Sequence, residues 1–213
     1  MKKFSFFSVA LLAAVLFTSC EPKDPTGGNN TPSKIGVKIN GVVWSPYNVD
    51  AFGTFVASSE KSGMLYQWNR SAAWNAIDSL VTTGWSNTVS ESETWTVAND
   101  PSPKGWRVPT IDELKTLLDT VNVKHQWTTE KDVIGSRFTD KTSGNSIFMP
   151  AAGERKPSDG TLQYVGIYGN YWSNSVKSSM MNGAYVMCFT ETQSSAEGGA
   201  ITNFGYSVRC VKE

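Results

Sequence analysis

Hydrophobic and polar positions fall into their clearest pattern at Gly105–Leu118. Trp106-Arg107-Val108 is extended in character, and Pro109 biases Val108 further toward extended backbone. Ile111, Leu114, Leu117 and Leu118 then recur at spacings of three and four, while Asp112, Glu113, Lys115 and Thr116 fall between them. That period predicts a helix with its apolar stripe on a sheet and those four polar residues toward water. Thr110, with Glu113 three residues on, forms a capping box that starts the helix. The stretch therefore predicts a strand-to-helix corner.

Elsewhere the pattern is mostly period two. Ile35–Ile39 alternates, Asn40-Gly41 is a type I′ turn signal, and Val42-Val43-Trp44 resumes, predicting a hairpin that Pro46 ends. Gly63–Trp68 reads as a strand or buried turn. Ala72, Ala73, Trp74 and Ile77 predict a short helix within Ser71–Leu80. Thr82–Asp100 is a polar loop pinned by Trp85 and Trp95. Asn122–Gly144 is polar and irregular, anchored by Trp127, Val133, Ile134 and Phe138, and Ser146–Pro150 is a strand. The small residues Ala151-Ala152-Gly153 predict close packing against the Trp106–Pro109 strand or the helix behind it. Ser158-Asp159-Gly160 is a turn, and Gly166 and Gly169 punctuate a loop before Tyr171-Trp172-Ser173. Ala184–Thr190 and Tyr206–Lys212 close the chain as strands, with Glu191–Gly199 as the loop between them.

The N-terminus has a different character. Lys2 and Lys3 precede an apolar run from Phe4 to Phe17 that ends in Thr18-Ser19-Cys20. This is a signal peptide, since the run is shorter than the roughly 20 residues a spanning helix needs. Small residues before Cys20 resemble a lipoprotein processing site, which makes Cys20 the lipidated first residue of the mature chain. Glu21–Ser33, rich in Pro, Gly, Asn and Thr, is a flexible tether. The expected organisation is a signal peptide over 1–19, a tether over 20–33 and one domain over 34–213. Its 39% hydrophobic content supplies a sizeable core for one domain. Net charge is zero, so nothing points to nucleic acid as a partner.

Six segments together, Ile39–Trp44, Gly63–Trp68, Gly105–Thr110, Pro150–Gly153, Tyr171–Ser173 and Tyr206–Val211, resemble in order the Fibrobacter succinogenes major paralogous domain, abundant in lipoproteins and surface proteins of the Bacteroidetes. That family is in turn similar to the C-type lectin-like fold. The resemblance implies an α+β domain of mostly antiparallel short strands, one or two helices and long loops. In the family a cysteine usually stands where this chain has Ser102, and in lectin-like folds it bridges to the last strand, here at Cys210. The resemblance thus implies that this copy has lost the bridge.

Candidate chemistry is sparse. His125 is the single histidine and no nucleophile motif accompanies it. The chain is also similar to formylglycine-generating enzymes, which hold copper between two nearby cysteines, but Cys188 and Cys210 stand far apart in sequence. The calcium-binding signatures of lectins are not intact, and no zinc pattern, P-loop or dinucleotide fingerprint is present. The expectation is a lipid-anchored protein of the outer membrane or cell surface that binds a glycan or a surface protein, with no catalytic residue, metal or cofactor. A divergent formylglycine-generating-type enzyme and a structural subunit of a surface appendage are the alternatives. In lectin-like folds ligands dock on the long loop, which here carries Arg155, Asp159, Tyr164 and Tyr168 as the expected ligand-binding residues.

Overall fold

The computed structural model describes residues 36–81 and 83–213, so the signal peptide, Cys20 and the tether lie outside the described residues. At the predicted corner, Trp106–Arg107 forms a two-residue strand and Ile111–Leu117 the helix α1. The capping box is complete: Glu113 N–H donates to Thr110 Oγ1 at 3.2 Å, and Thr110 N–H donates to Glu113 Oε2 at 2.8 Å. Leu114 and Leu117 are fully buried, with Ile111 and Leu118 packed against the same core. Glu113 departs from the expectation of a water-facing side chain. Arg107 reaches it through two bonds, at 2.8 and 2.6 Å, and the pair is half-buried.

The remaining elements, in chain order, are β1 (Val37–Ile39), β2 (Val42–Asn48), β3 (Met64–Gln67), β4 (Ala73–Asn75), β5 (Trp106–Arg107), β6 (Val123–Glu130), β7 (Val133–Asp140), β8 (Ser146–Pro150), β9 (Glu154–Arg155), β10 (Leu162–Gln163), β11 (Gly169–Val176), β12 (Gly183–Phe189), β13 (Ser194–Ile201), β14 (Gly205–Ser207) and β15 (Arg209–Lys212). Among the described residues they make a four-stranded sheet ordered β1-β2-β15-β5, a three-stranded sheet ordered β6-β7-β8, and an eight-stranded sheet whose path β10-β9-β14-β11-β12-β13 carries β3 and β4 beside β14. Pairing is antiparallel throughout the ladders except where β11 meets β14 at Tyr171 and Ser207. The domain is therefore β-rich, with a single short helix among the described residues, and α+β describes it only loosely.

Helix α1 lies against β11, β12 and β13, as its apolar stripe requires. Its N-terminus is tied to β11, because Ser175 Oγ accepts from Ile111 N–H at 3.1 Å and Pro109 O accepts from Asn174 N–H at 2.7 Å. One core beneath it contains Trp44, Phe138, Tyr171, Met187 and Phe189, and a second contains Trp68, Trp106, Trp172, Val208 and Cys210. Two buried indole N–H groups find carbonyls: Trp68 donates to Ser173 O at 2.8 Å and Trp172 to Tyr66 O at 2.7 Å, which locks β3 to β11. Arg209 is fully buried without a carboxylate among its hydrogen-bond partners. It donates to Asn48 Oδ1, Ser45 O and Phe148 O, so one side chain fastens the last strand to β2 and to the three-stranded sheet.

The opening hairpin forms as read, with Asn40 and Gly41 both at positive φ. Pro46 does not end it. β2 runs on to Asn48, and the ladder with β15 is irregular between its Trp44 and Asn48 pairings, which is where a proline lacking its N–H is tolerated. The helix expected within Ser71–Leu80 is instead strand β4 followed by a turn in which Asn75 Oδ1 accepts from Ile77 and Asp78 N–H. Asn122–Gly144 is not irregular: β6 and β7 pair over their full length across a two-residue turn, Lys131-Asp132, both at positive φ. Phe138 and Trp127 anchor it, whereas Ile134 is exposed. Most of Glu191–Gly199 is strand β13, and Tyr206–Lys212 divides at Val208 into β14 and β15, one in each large sheet.

Candidate functional site

The long loop is built on Gly153, whose φ of 74° only glycine adopts readily and whose missing Cβ would lie 2.3 Å from Gln163 O. The small residues after β8 thus pack on the 163–168 backbone, and the Trp106–Pro109 strand is not their partner. Backbone bonds complete the clamp: Gly153 N–H to Tyr168 O at 2.9 Å, and Gly166 N–H to Ala151 O at 2.8 Å. Tyr164 O accepts from both Ile167 and Tyr168 N–H, closing the tip into a tight turn.

The four expected ligand-binding residues separate in this frame. Arg155 is not on the surface. It is 1% exposed and donates to Asn75 O, Asp78 O and Gly160 O, so it ties the β4 turn and the Asp159 turn together. A guanidinium has five donors in a fixed fork, enough to serve three separated carbonyls from one side chain. Asp159 is exposed, accepts from Thr161 N–H at 2.9 Å and lies 3.7 Å from Lys156 Nζ; those bonds hold its carboxyl below the ordinary range. Tyr164 and Tyr168 do come together, edge to face at 5.2 Å. Tyr164 is 46% exposed at φ 60°, a left-handed conformation that is unfavourable for a bulky side chain. Val165 and Ile167 beside it are exposed as well.

Tyr168 also forms one wall of a groove of about 470 Å3, with Cys188, Thr190, Thr192, Gln193, Ser194 and Ser195 as the rest. Thr192, Gln193, Ser194 and Ser195 were hidden in the sequence, because Glu191–Gly199 reads as a loop and only the buried Ala196 and Ala200 mark a strand. Asn170 sits opposite Cys188 in the ladder and donates to Glu154 Oε2 at 3.2 Å; Gln163 donates to Glu154 Oε1 at 2.7 Å. Burial pushes the Glu154 carboxyl up and, with the Glu154 charge, pushes the Cys188 thiol up.

His125 stacks flat on Phe138 at 4.7 Å and shares a 2.8 Å hydrogen bond with Ser136, and burial lowers its pKa. This is a packed ring. Cys188 and Cys210 are both free, one in the eight-stranded sheet and the other buried in the four-stranded sheet. No group of three metal-ligating His, Cys, Asp or Glu residues occurs among the described residues. No helix among them is long and apolar enough to cross a membrane.

The model of the Fibrobacter succinogenes major domain matches residues 37–212, from β1 to the last residue of β15. The chain belongs to that family. No match is found among curated proteins or among solved structures. The matched span of this Fibrobacter succinogenes major domain contains both the arginine clamps at Arg155 and Arg209 and the Tyr164–Tyr168 tip.

Proposed function

We propose that this chain is a lipid-anchored protein of the outer membrane or cell surface whose domain recognises a ligand, a glycan or another surface protein, without catalysis. The observation that carries this reading is the Tyr164–Tyr168 tip. The exposed Tyr164 ring, the half-buried Tyr168 ring beside it and two exposed aliphatic side chains sit on a loop that the backbone already holds in place. Tyr164 keeps its bulky side chain at a φ suited to glycine, and conformational cost of that kind collects at binding sites. Exposed tyrosine gives large contact area for the loss of few side-chain rotations. The mixed sheets, the short helix and the long loops fit the C-type lectin-like architecture, although the second helix of that fold has no counterpart among the described residues.

A binding screen of the full chain, solubilised in detergent, against glycans and envelope proteins tests the ligand. Binding that Tyr164→Ala weakens supports the reading; binding to neither class overturns it. Membrane fractionation of Cys20→Ser tests the anchor. Release into the soluble fraction is expected, and retention at the wild-type level removes the lipid claim.

A further inference from the structure

The groove beside Tyr168 has a composition that narrows its ligand. None of its seven lining residues is Lys, Arg, Asp or Glu. Its polar side-chain groups are the hydroxyls of Tyr168, Thr190, Thr192, Ser194 and Ser195, the Gln193 carboxamide and the Cys188 thiol. The Thr192 and Ser194 hydroxyls and the Gln193 carboxamide have no side-chain partner among the described residues. Burial raises the thiol's pKa, so Cys188 stays neutral at ordinary pH.

The wall is also preformed. Thr190 N–H donates to Gln193 O at 2.8 Å, and Thr190 Oγ1 accepts from Gln193 N–H at 3.1 Å and from Thr192 N–H at 3.3 Å, which fixes the β12–β13 turn. Across from it, Tyr168 is steadied by the Tyr164 ring and by its own carbonyl bond to Gly153. A site whose groups are held before binding loses less entropy on association.

Resting on the ligand-binding reading above, we infer that the groove between Tyr168 and the Thr190–Ser195 turn is a subsite for a neutral carbohydrate. An anionic ligand would need a cation in the wall, and a cationic one a carboxylate; neither is there. A groove of about 470 Å3 lies in the range of small-molecule sites, and its seven lining residues are far fewer than the roughly 20–30 a side that a stable protein interface uses. A sugar ring offers an apolar C–H face to Tyr168 and hydroxyls to the neutral donors and acceptors opposite. Its hydroxyls exchange one neutral hydrogen bond for another, so the site needs no buried charge.

Cys188 supplies a native reporter, since it is the partly exposed free thiol of the groove and Cys210 is fully buried. The full chain in detergent is titrated with neutral oligosaccharides (cello-, malto- and manno-oligosaccharides) and with the acidic polymers polygalacturonate and heparin. The rate of Cys188 alkylation is followed by peptide mass mapping. The expected result is that at least one neutral oligosaccharide slows alkylation fivefold or more, and that Tyr168→Ala and Thr192→Val each weaken its binding about tenfold, Thr192→Val with no change in the thermal midpoint and Tyr168→Ala with only the small fall that loss of the Tyr164 ring contact brings. Cys210 remaining unlabelled shows that each variant is folded. Two results overturn the inference: binding of acidic polymers alone, or neutral-glycan binding that leaves Cys188 alkylation and both groove variants unaffected. Binding of an envelope protein that is lost in Tyr164→Ala, with no oligosaccharide bound, also overturns it while the ligand-binding reading stands. Binding to nothing overturns both.

Discussion

Cys210 Sγ lies 3.0 Å from Ser102 Oγ and donates to it, joining the last strand to the segment before β5 across 108 positions of sequence. Ser102 is thus in the place from which a cysteine would reach Cys210, as the family resemblance implies. Ser102→Cys should form a disulfide, because the two side chains already meet and a sulfur–sulfur bond of about 2.05 Å needs only a small approach. Burial pushes the Cys210 thiol up, so little thiolate is present and oxidation should be slow at neutral pH. A bridge closing so long a loop should add roughly 2–4 kcal/mol, read from denaturant midpoints of oxidised and reduced protein. Failure of the Ser102→Cys variant to crosslink to Cys210 under a strong oxidant, after denaturation and refolding, would place the two segments apart.

Glu113 gives a pH dependence. Burial raises its carboxyl, but hydrogen bonds from Arg107 and Thr110 outweigh burial and hold it below the usual value of 4.5. A depressed folded-state pKa contributes stability that is present above pH 4.5 and lost as pH falls through the folded value. Glu113→Gln should therefore flatten the acid side of the stability profile below pH 4.5. At neutral pH it should cost about 1–2 kcal/mol through the weakened cap and the unpaired Arg107. Urea titrations from acid to neutral pH measure both effects, and parallel acid limbs for the two proteins would contradict the assignment.

Arg155 separates a clamp from a ligand contact. Arg155→Ala leaves the carbonyls of Asn75, Asp78 and Gly160 without their donor. The expected cost is about 2–5 kcal/mol, since three carbonyls, that of Gly160 buried, lose their hydrogen bonds to a guanidinium and the site of a fully buried side chain is emptied. Arg155→Lys should recover only part of it, because an ammonium cannot reach three separated carbonyls as a planar fork does. A thermal midpoint unchanged in Arg155→Ala would return this residue to the surface contacts.

Local chemistry was the legible part of this chain. The capping box at Thr110 and Glu113, the Asn40-Gly41 turn and the strand at Ser146–Pro150 need only neighbouring residues, and each appears where the sequence places it. Strands β6 and β7 were hidden because their turn is Lys131-Asp132, a pair without glycine, and because polar residues occupy the exposed face of a sheet edge. Arg155 misled for a different reason. An arginine on a polar, glycine-rich segment looks solvated, and only the fold brings three unpaired carbonyls around it. The groove at Thr190–Ser195 depends on the return of β13 beside β12 across the short turn Thr190–Gln193, a hairpin that the Ser, Gly and Glu composition of Glu191–Gly199 conceals.

Tyr164 and Tyr168 carry the decisive test of function. If these rings anchored the loop, removing both would empty buried aromatic sites and cost several kcal/mol. The structure gives the anchoring to the backbone instead: Gly153 N–H to Tyr168 O, Gly166 N–H to Ala151 O, and the Tyr164 carbonyl to the two amides that close the tip. What the double change Tyr164→Ala with Tyr168→Ala removes is the edge-to-face pair, worth about 0.5–1.5 kcal/mol. Tyr164→Gly should go the other way, because glycine meets no penalty at φ 60° and relief of roughly 1 kcal/mol offsets the lost ring contact. The expected pattern is a thermal midpoint that barely moves in Tyr164→Gly and falls slightly in the double alanine, while affinity for the ligand drops by about 1–3 kcal/mol in both. Melting curves and titrations on the same preparations read the two quantities independently. A large drop in stability with affinity intact would make the rings part of the core and move the binding site elsewhere, whereas lost affinity at nearly unchanged stability leaves recognition as the remaining reason for Tyr164 to stand in water against a half-buried Tyr168.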